Sequence, residues 1–168
     1  MQSTLSTDRL ILHGLSLDHA EFIQELVNTE GWISFIGERN VRTKEAAEKY
    51  IQKILDSKNV QHWIVKLKEE KALIGIITFI KRDYLQYHDI GFAFLPGYSN
   101  KGYAFEAANE VLNMLLENPV HSTIHATTVK ENIRSIALLE KLGLKFEKEI
   151  NVVENTLLSY TINYEHKL

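Results

Sequence analysis

The sequence predicts a single α/β (α+β) domain in which a central mixed, mostly antiparallel sheet of about seven strands is flanked by four helices. Strand-like runs and segments with helical periodicity follow one another in the order βααβββαβαββ. One strand–helix–strand passage requires two strands to run parallel inside the sheet. The length of 168 residues fits one core, so we expect residues 1–168 to form one domain.

The first half of the chain is predicted to contain a strand, two helices and three further strands. Ser16 and Thr43 are good helix caps, and each precedes apolar residues at helical spacing. The first helix is expected to end near Thr29 to Gly31, and GWISFIGERN after it is interpreted as a loop. β-Branched and aromatic residues favour strands at Arg9 to His13, HWIVKLK, ALIGIITFIKR and HDIGFAFL. The apolar stripes of the two helices are Phe22 to Val27 and Ala46 to Leu55.

The second half is predicted to begin with a long helix that carries Ala104, Val111 and Leu115 on one side and stops before Pro119. The strands HDIGFAFL and STIHATTV flank it and are predicted to be parallel neighbours. A shorter helix, ENIRSIALLEKLG, is stopped by Gly143 in a left-handed position, and the strands KFEKEINVV and LLSYTINY follow.

Composition excludes several classes of function. The formal net charge of -3 gives no broad cationic field for nucleic acid, and the absence of cysteine removes disulfides and thiolate metal sites. The start of the sequence lacks a signal-peptide pattern, and no run approaches the ~20 apolar residues that span a bilayer. The seven histidines form no metal-binding motif. We therefore expect a cytoplasmic protein with no metal, nucleic-acid or membrane partner.

The stretch LPGYSNKGYAFEAANEVLNML places a tight polar turn directly before the long helix. A helix N-terminus has unsatisfied N–H groups and roughly half a positive charge, so such a turn is a ready anion site. Gly102 permits close approach to the backbone, Asn100 tolerates a positive φ, and Lys101 adds a counter-charge. An ordinary tight turn is an equal alternative. Neither the P-loop nor the G-x-G-x-x-G pattern is present.

Three blocks together resemble the GNAT acetyltransferases, and most closely their RimJ/RimL-like branch. They are TDRLILHGLSLDHAEFIQEL, IGFAFLPGYSNKGYAFEAAN and TTVKENIRSIALLEKLGLKFE, in the order and spacing of that family. The resemblance covers nearly the whole chain. It implies a splayed sheet, acetyl-CoA as co-substrate, and direct acetyl transfer to a primary amine in a ternary complex.

The resemblance also implies which residues bind acetyl-CoA. The turn resembles the family pattern Q/R-x-x-G-x-G/A, whose backbone amides hold the pyrophosphate, although Ser99 replaces the usual Gln or Arg. The end of the preceding strand is expected to pair with the pantetheine arm, and Asn132 to contact the cofactor or to cap a helix. The implied cofactor-binding residues are Phe92, Phe94, Leu95, Ser99, Asn100, Lys101, Gly102, Tyr103, Ala104, Phe105 and Asn132.

Candidate catalytic residues follow from the same resemblance. Asp89 stands where RimL-like proteins carry a glutamate and is the leading candidate base, with a solvated strand-edge aspartate as the alternative. Glu38 is a second candidate, for receiving a cationic acceptor. Many family members use a tyrosine acid at the position of Leu139, so Ser135 is the candidate acid here, with a cofactor contact or helix packing as alternatives.

The acceptor side is the least specified. Trp32, Phe35, Tyr84 and Tyr87 are candidates for lining it, although aromatic residues more often belong to a core. A protein or peptide N-terminus is the preferred acceptor, and small amines are close behind. A non-catalytic acyl-CoA-binding or regulatory module on the same fold is the alternative function. A monomer and a homodimer are both compatible with the sequence.

Overall fold

The protein, a computed structural model that describes residues 2–165, forms one eight-stranded sheet with five α-helices. Two short 3₁₀ turns, Leu17–His19 and Pro96–Tyr98, lie between these elements. The strands are β1 (Leu5–Ser6), β2 (Leu10–Gly14), β3 (Val60–Leu67), β4 (Leu73–Ile80), β5 (Asp89–Phe94), β6 (Thr123–Thr128), β7 (Lys145–Val152) and β8 (Asn155–Asn163). The helices are α1 (Ala20–Val27), α2 (Glu30–Phe35), α3 (Lys44–Leu55), α4 (Tyr103–Leu116) and α5 (Ile133–Lys141).

The strand order is β1-β2-β3-β4-β5-β6-β8-β7, and every neighbouring pair is antiparallel except β5 and β6. This parallel pair is joined through α4, so the predicted strand–helix–strand crossover and the mixed, mostly antiparallel sheet are confirmed. Within residues 2–165 no helix is long and apolar enough to cross a membrane.

Local sequence signals account for most of the helix boundaries. The Thr43 side chain accepts a hydrogen bond from the backbone N–H of Ala46 at the start of α3, as its capping role predicts. α4 ends at Leu116, before Pro119, because the residue preceding a proline disfavours the helical region. Gly143 follows α5 with φ of 93°, the left-handed conformation expected of it.

Three elements differ from the prediction. The stretch interpreted as a loop contains α2, because the Thr29 hydroxyl accepts from the Trp32 N–H and starts a short helix over Glu30–Phe35. β1 has only two residues, too few for any alternation in the sequence, and raises the number of strands from seven to eight. α1 also ends earlier than expected, at Val27.

The core consists of two layers, one on each face of the sheet. Trp63 belongs to the layer under α4 and α5, whereas its neighbour Ile64 belongs to the layer under α1 and α3. Both are almost completely buried, since successive strand residues point to opposite faces of a sheet that is covered on both sides. Val111 of α4 and Ile51 of α3 pack into the respective layers.

The sheet opens between β5 and β6. Their only register pair within residues 2–165 is Asp89 with His125, where the His125 N–H donates to the His88 carbonyl at 2.9 Å. Two residues later, the Thr127 N–H donates to the Asp89 side chain at 3.1 Å and not to the β5 backbone. The remainder of β5 therefore has an open edge towards β6.

Candidate active site

A cleft of about 1150 Å³ begins at this opening in the sheet. It is lined by residues of β3, β4 and β5, by α2 and by the starts of α4 and α5. Most of the residues predicted from the sequence lie on its wall. They are Trp32, Phe35, Tyr84, Asp89, Phe92, Phe94, Ser99, Asn100, Gly102, Tyr103, Ala104, Phe105, Asn132 and Ser135.

Four predicted residues do not line the cleft. The Glu38 carboxylate forms an ion pair with Arg42 and accepts from the Asn40 N–H at 3.1 Å. Tyr87 stacks on His125 with ring centroids 5.7 Å apart. Leu95 is buried, and its N–H donates to the Ile74 carbonyl at 2.8 Å. The Lys101 ammonium lies 5.9 Å from the ring centre of Tyr98.

The cleft has two sides, which meet at Asp89. The turn side comprises the end of β5, the turn and first residues of α4, and α5 with its N-cap (residues 92–105 and 132–141). The α2 side comprises α2, the loop after it, Tyr50 and Ile54 of α3, and the facing residues of β3 and β4 with Arg82 (residues 29–39, 60–62 and 76–82).

On the turn side, the backbone before α4 is shaped to present N–H groups. Asn100 has φ of 60°, and Gly102, the N-cap of α4, has φ of 80°. The first N–H groups of a helix have no partner within the helix. Those of Tyr103, Ala104 and Phe105 stand at the cleft wall and have no hydrogen-bond partner within residues 2–165. This arrangement can hold an anion without any side chain.

Arg9 braces this turn from behind. Its backbone N–H and its Nε donate to the Glu106 carboxylate at 2.9 and 2.7 Å, and its Nη1 donates to the Lys101 carbonyl at 2.9 Å. The Thr7 hydroxyl donates to the same carboxylate at 2.6 Å. The arginine thus ties the segment before β2 to α4 and to the turn. The sequence interpretation gave Arg9 no functional role, although it belongs to the first matched block.

The open edge of β5 adds backbone groups to the turn side. Leu95 points its N–H towards β4, so by strand alternation Phe92 and Phe94 point theirs towards the opening. Gly75 on β4 leaves space for the Phe94 ring, because a Cβ at position 75 would lie 2.4 Å from a ring carbon. An extended chain can therefore pair with β5 in the opening.

One face of α5, from its N-cap to Lys141, forms the opposite wall of the turn side. The Asn132 side chain caps this helix by accepting from the Ser135 N–H at 3.2 Å, so the capping alternative for Asn132 is correct. Arg134 and Lys141, which the sequence interpretation did not single out, bring two cationic side chains to the cleft. Lys141 lies 4.3 Å from the centre of the Phe105 ring. This wall suits a ligand with several negative charges.

Asp89 occupies the point where β5 and β6 separate. It is 4% exposed, with one carboxylate oxygen accepting from Arg82 Nε and the other from the Thr127 N–H, both at 3.1 Å. Burial raises the pKa of this carboxyl to about 6, even though Arg82 and Thr127 lower it. The alternative of a solvated strand-edge aspartate is therefore wrong. A carboxyl with such a pKa can exchange a proton near neutral pH.

A short polar row crosses the floor on the α2 side. His62, Thr78 and Gly91 are register partners on β3, β4 and β5, and all three line the cleft. A Cβ at Gly91 would lie 2.7 Å from the Thr78 hydroxyl, so glycine is required there. His62 is 8% exposed, its Nδ1 has no partner within residues 2–165, and burial followed by the Arg82 charge lowers its pKa to about 4.

Trp32 and Arg39 form the outer wall of the α2 side. Trp32 is 7% exposed and packs into the core layer under α1 and α3, while its indole N–H has no hydrogen-bond partner within residues 2–165. The Arg39 guanidinium lies 5.8 Å from the centre of the Trp32 ring. Neither Arg39 nor His62 was singled out from the sequence, since one lies in a polar loop and the other in an apolar strand.

Metal ligands are not grouped in the described part of the chain. Among residues 2–165 no three side chains of His, Asp or Glu lie close enough together to hold a metal ion. The expectation of a metal-free site stays a prediction.

Comparison with known proteins identifies the class. The model of the family described as "Acetyltransferase (GNAT) domain" matches residues 9–145, and the chain therefore belongs to the GNAT acetyltransferases. A curated relative, the uncharacterized N-acetyltransferase YnaD of Bacillus subtilis (strain 168), is 32% identical over 143 residues, which are 85% of this chain and 83% of the relative. The protein is accordingly an acetyltransferase, and acetyl-CoA is the substrate that this fold uses.

Solved structures match the whole fold. A GNAT-family acetyltransferase from Bacillus anthracis has a TM-score of 0.81 at 26% identity, over 96% of this chain and 98% of that one. A ribosomal-protein-S5-alanine acetyltransferase from Vibrio fischeri has a TM-score of 0.80 at 17% identity, over 96% and 97%. A spermidine N-acetyltransferase from Vibrio cholerae, in complex with CoA and spermine, has a TM-score of 0.78 at 21% identity, over 94% and 96%. The last two likenesses concern the fold alone.

Proposed function

We propose that this acetyltransferase moves the acetyl group of acetyl-CoA directly to a primary amine while both substrates are bound. The carrying observation is the opening between β5 and β6, which runs from Asp89 to the free N–H groups at the start of α4. The turn amides, with Arg134 and Lys141 across the cleft, suit the phosphates of CoA, and the β5 edge suits its pantetheine arm. The α2 side is left for the amine.

The amine nitrogen attacks the thioester carbonyl carbon, a C–N bond forms, and the C–S bond breaks. The amine loses a proton, which Asp89 receives directly or through a water molecule. The departing thiolate gains a proton that comes from solvent, and the Ser135 hydroxyl is proposed to hydrogen-bond the sulfur and to relay that proton. An α-amine has a pKa near ~8, so a base with a pKa of about 6 is adequate at neutral pH. No covalent acyl-enzyme is needed.

The preferred acceptor is a protein or peptide N-terminus, as in the RimJ/RimL-like branch, and small amines come second. The three sequence blocks support this ranking, and the fold is shared with an acetyltransferase named for a ribosomal-protein alanine. The fold is equally shared with a spermidine acetyltransferase, which keeps small amines in the panel. A cytoplasmic location, a single domain and a monomeric or dimeric state belong to the same proposal.

The test is an acetylation assay with acetyl-CoA and a panel of N-terminal peptides and small amines. Asp89→Asn keeps an acceptor for the Thr127 N–H but removes the base, and we expect kcat to fall about 100-fold with acetyl-CoA affinity retained. Ser135→Ala should lower kcat less. In the wild type, kcat/KM should decline below about pH 6 because Asp89 becomes protonated.

Two results would overturn parts of this proposal. Acetyl-CoA binding without turnover of any amine in the panel would favour a non-catalytic acyl-CoA-binding module. Full activity of both variants on a confirmed acceptor would remove Asp89 and Ser135 from the mechanism while leaving the reaction itself intact.

A further inference from the structure

The charged side chains on the α2 side are few and unevenly paired. Glu30 and Asp89 are the only carboxylates that line the cleft within residues 2–165. Asp89 is already paired with Arg82, and Glu30 has no ion-pair partner in the same range. A single unpaired carboxylate is a poor match for a polyamine, which carries several positive charges.

Arg39 is the unpaired cation of this side. The neighbouring Glu38 is committed to Arg42, and Arg39 itself forms no ion pair within residues 2–165. It lines the cleft while Glu38 does not. A cation that faces a cleft without a protein partner is available to an anionic group on a ligand.

The Arg39 guanidinium is exposed at the cleft, with its central carbon 5.8 Å from the centre of the Trp32 ring. Its Nη1 lies 3.1 Å from the point where a Cβ on Gly37 would stand. Gly37 has φ of 127°, a conformation that favours glycine, and thereby leaves space for the arginine. The planar fork of a guanidinium without an ion-pair partner can bind a carboxylate with two hydrogen bonds.

Two further polar groups of this side carry no charge. The Trp32 indole is neutral, and its N–H is buried without a partner within residues 2–165. His62, on the cleft floor, is neutral at pH 7 and does not add a competing charge. The remaining lining of this side is mainly apolar, from Phe35, Ile36, Tyr50, Ile54, Val60, Ile76 and Ile80.

We propose that the amine acceptor carries a carboxylate, and that Arg39, which lies beside Trp32 at the cleft, binds this carboxylate. The proposal rests on the acetyl transfer proposed above and makes Arg39 a specificity-determining residue of that reaction. The carboxylate has two sources, a free amino acid or an acidic side chain at the N-terminus of a peptide. Glu30, in the first turn of α2, is the other carboxylate besides Asp89 that lines the cleft within residues 2–165.

The experiment uses matched acceptor pairs that differ only in a carboxylate. Alanine is compared with alaninamide, and an Asp-Ala peptide amide with the Asn-Ala peptide amide, with spermidine as a polycation. In the wild type we expect kcat/KM to favour the carboxylate member of at least one pair by about tenfold or more. Arg39→Gln should reduce that ratio to within about twofold.

The matched control is Lys44→Gln. It removes one positive charge from the same segment, but Lys44 is exposed, pairs with Glu21 at 3.6 Å and does not line the cleft. This variant should keep the wild-type ratio, and acetyl-CoA binding should be unchanged in both variants. Equal rates within both pairs in the wild type, or a preference that survives Arg39→Gln, would overturn the proposal.

Binding of the acetylated products separates this proposal from the reaction itself. N-acetylalanine and N-acetylalaninamide, and the two acetylated peptides, are titrated while tryptophan fluorescence is followed, since Trp32 adjoins Arg39. Binding of a carboxylate product that Arg39→Gln abolishes would support the proposal even if no amine were turned over. Equal binding of acid and amide, or no binding of any product, would contradict it.

Discussion

The two sides of the cleft satisfy their polar groups in opposite ways. On the turn side the side chains are tied to the protein, as Arg9 is to Glu106 and Asn132 is to the start of α5, and only backbone N–H groups remain open. On the α2 side the groups without a partner in residues 2–165 belong to side chains, the buried Trp32 Nε1 and His62 Nδ1 and the exposed Arg39 guanidinium. A site made of backbone suits the phosphates of one invariant substrate, whereas a site made of side chains can be changed to suit different amines.

Among the substitutions that test this difference between the two sides, a change of His62 should have the largest effect, and the effect is on stability. Because its folded pKa of about 4 lies below the usual 6.5, its contribution to stability is present above pH 6.5 and is lost as the pH falls towards 4. Between pH 7 and pH 4, the free energy of unfolding of His62→Phe should fall by roughly 2 to 3 kcal/mol less than that of the wild type, since 1.36 kcal/mol corresponds to one pKa unit. Urea unfolding at pH 4, 5, 6 and 7 measures it.

The pH profile of His62→Phe is the deciding quantity. A flatter decline of unfolding free energy than in the wild type supports a histidine that is buried neutral. Asp89 has a raised pKa and acts in the opposite direction between about pH 4 and 6, so the difference between the two proteins is used and not either slope alone. Identical slopes would show that His62 titrates normally.

A smaller effect is expected at the turn. Gly102→Ala forces a side chain onto a residue with φ of 80° and places a Cβ 3.3 Å from Arg9 Nη2, so the N–H groups at the start of α4 should shift. We expect acetyl-CoA affinity to fall about tenfold, as one or two hydrogen bonds to a charged group are weakened. Calorimetric titration measures it.

Gly97 supplies the matched control for that change. It lies five residues earlier, has no positive φ, and a Cβ there would contact nothing within 4 Å. Gly97→Ala should therefore bind acetyl-CoA as the wild type does. Equal losses in the two variants would mean that the effect does not come from the left-handed conformation at Gly102.

The smallest effect is expected from removing the brace. Arg9→Ala leaves the turn amides in place but frees Lys101 and Glu106, so KM for acetyl-CoA should rise by about threefold to tenfold with little change in kcat. Arg9→Lys, which keeps the charge but not the fork of donors, should recover only part of this loss. A fall in kcat with an unchanged KM would contradict a positioning role for Arg9.

The same contrast explains what the sequence could predict. The turn side is encoded by consecutive residues whose backbone makes the site, so Asn100, Gly102 and the strand before them could be placed from a local pattern. Asp89 was predicted because it stands, at the start of a strand, where the resembling RimL-like proteins carry a glutamate. The pairing of Asp89 with Arg82 and Thr127 was not predicted, because the three residues meet only where the sheet opens.

The α2 side could not be assembled from the sequence. Trp32, Arg39 and His62 come from a helix, a loop and a strand that are distant in sequence, and each one alone looks like an ordinary core or surface residue. The loop interpretation of residues 31–40 missed the helix that carries Trp32, since a six-residue helix has little periodicity. Glu38 was a candidate because of its negative charge, but it forms an ion pair with Arg42 and does not line the cleft.

The most direct test of the whole account is calorimetric titration of the protein with acetyl-CoA and, separately, with the CoA nucleotide that lacks the pantetheine arm. The turn amides are expected to bind both ligands, and the β5 edge only the first. Acetyl-CoA should bind with a Kd on the order of micromolar, and the nucleotide at least about tenfold more weakly. Equal affinity for the two, or no binding of either by folded protein, would contradict the assignment of the opening between β5 and β6 to the acetyl-CoA site.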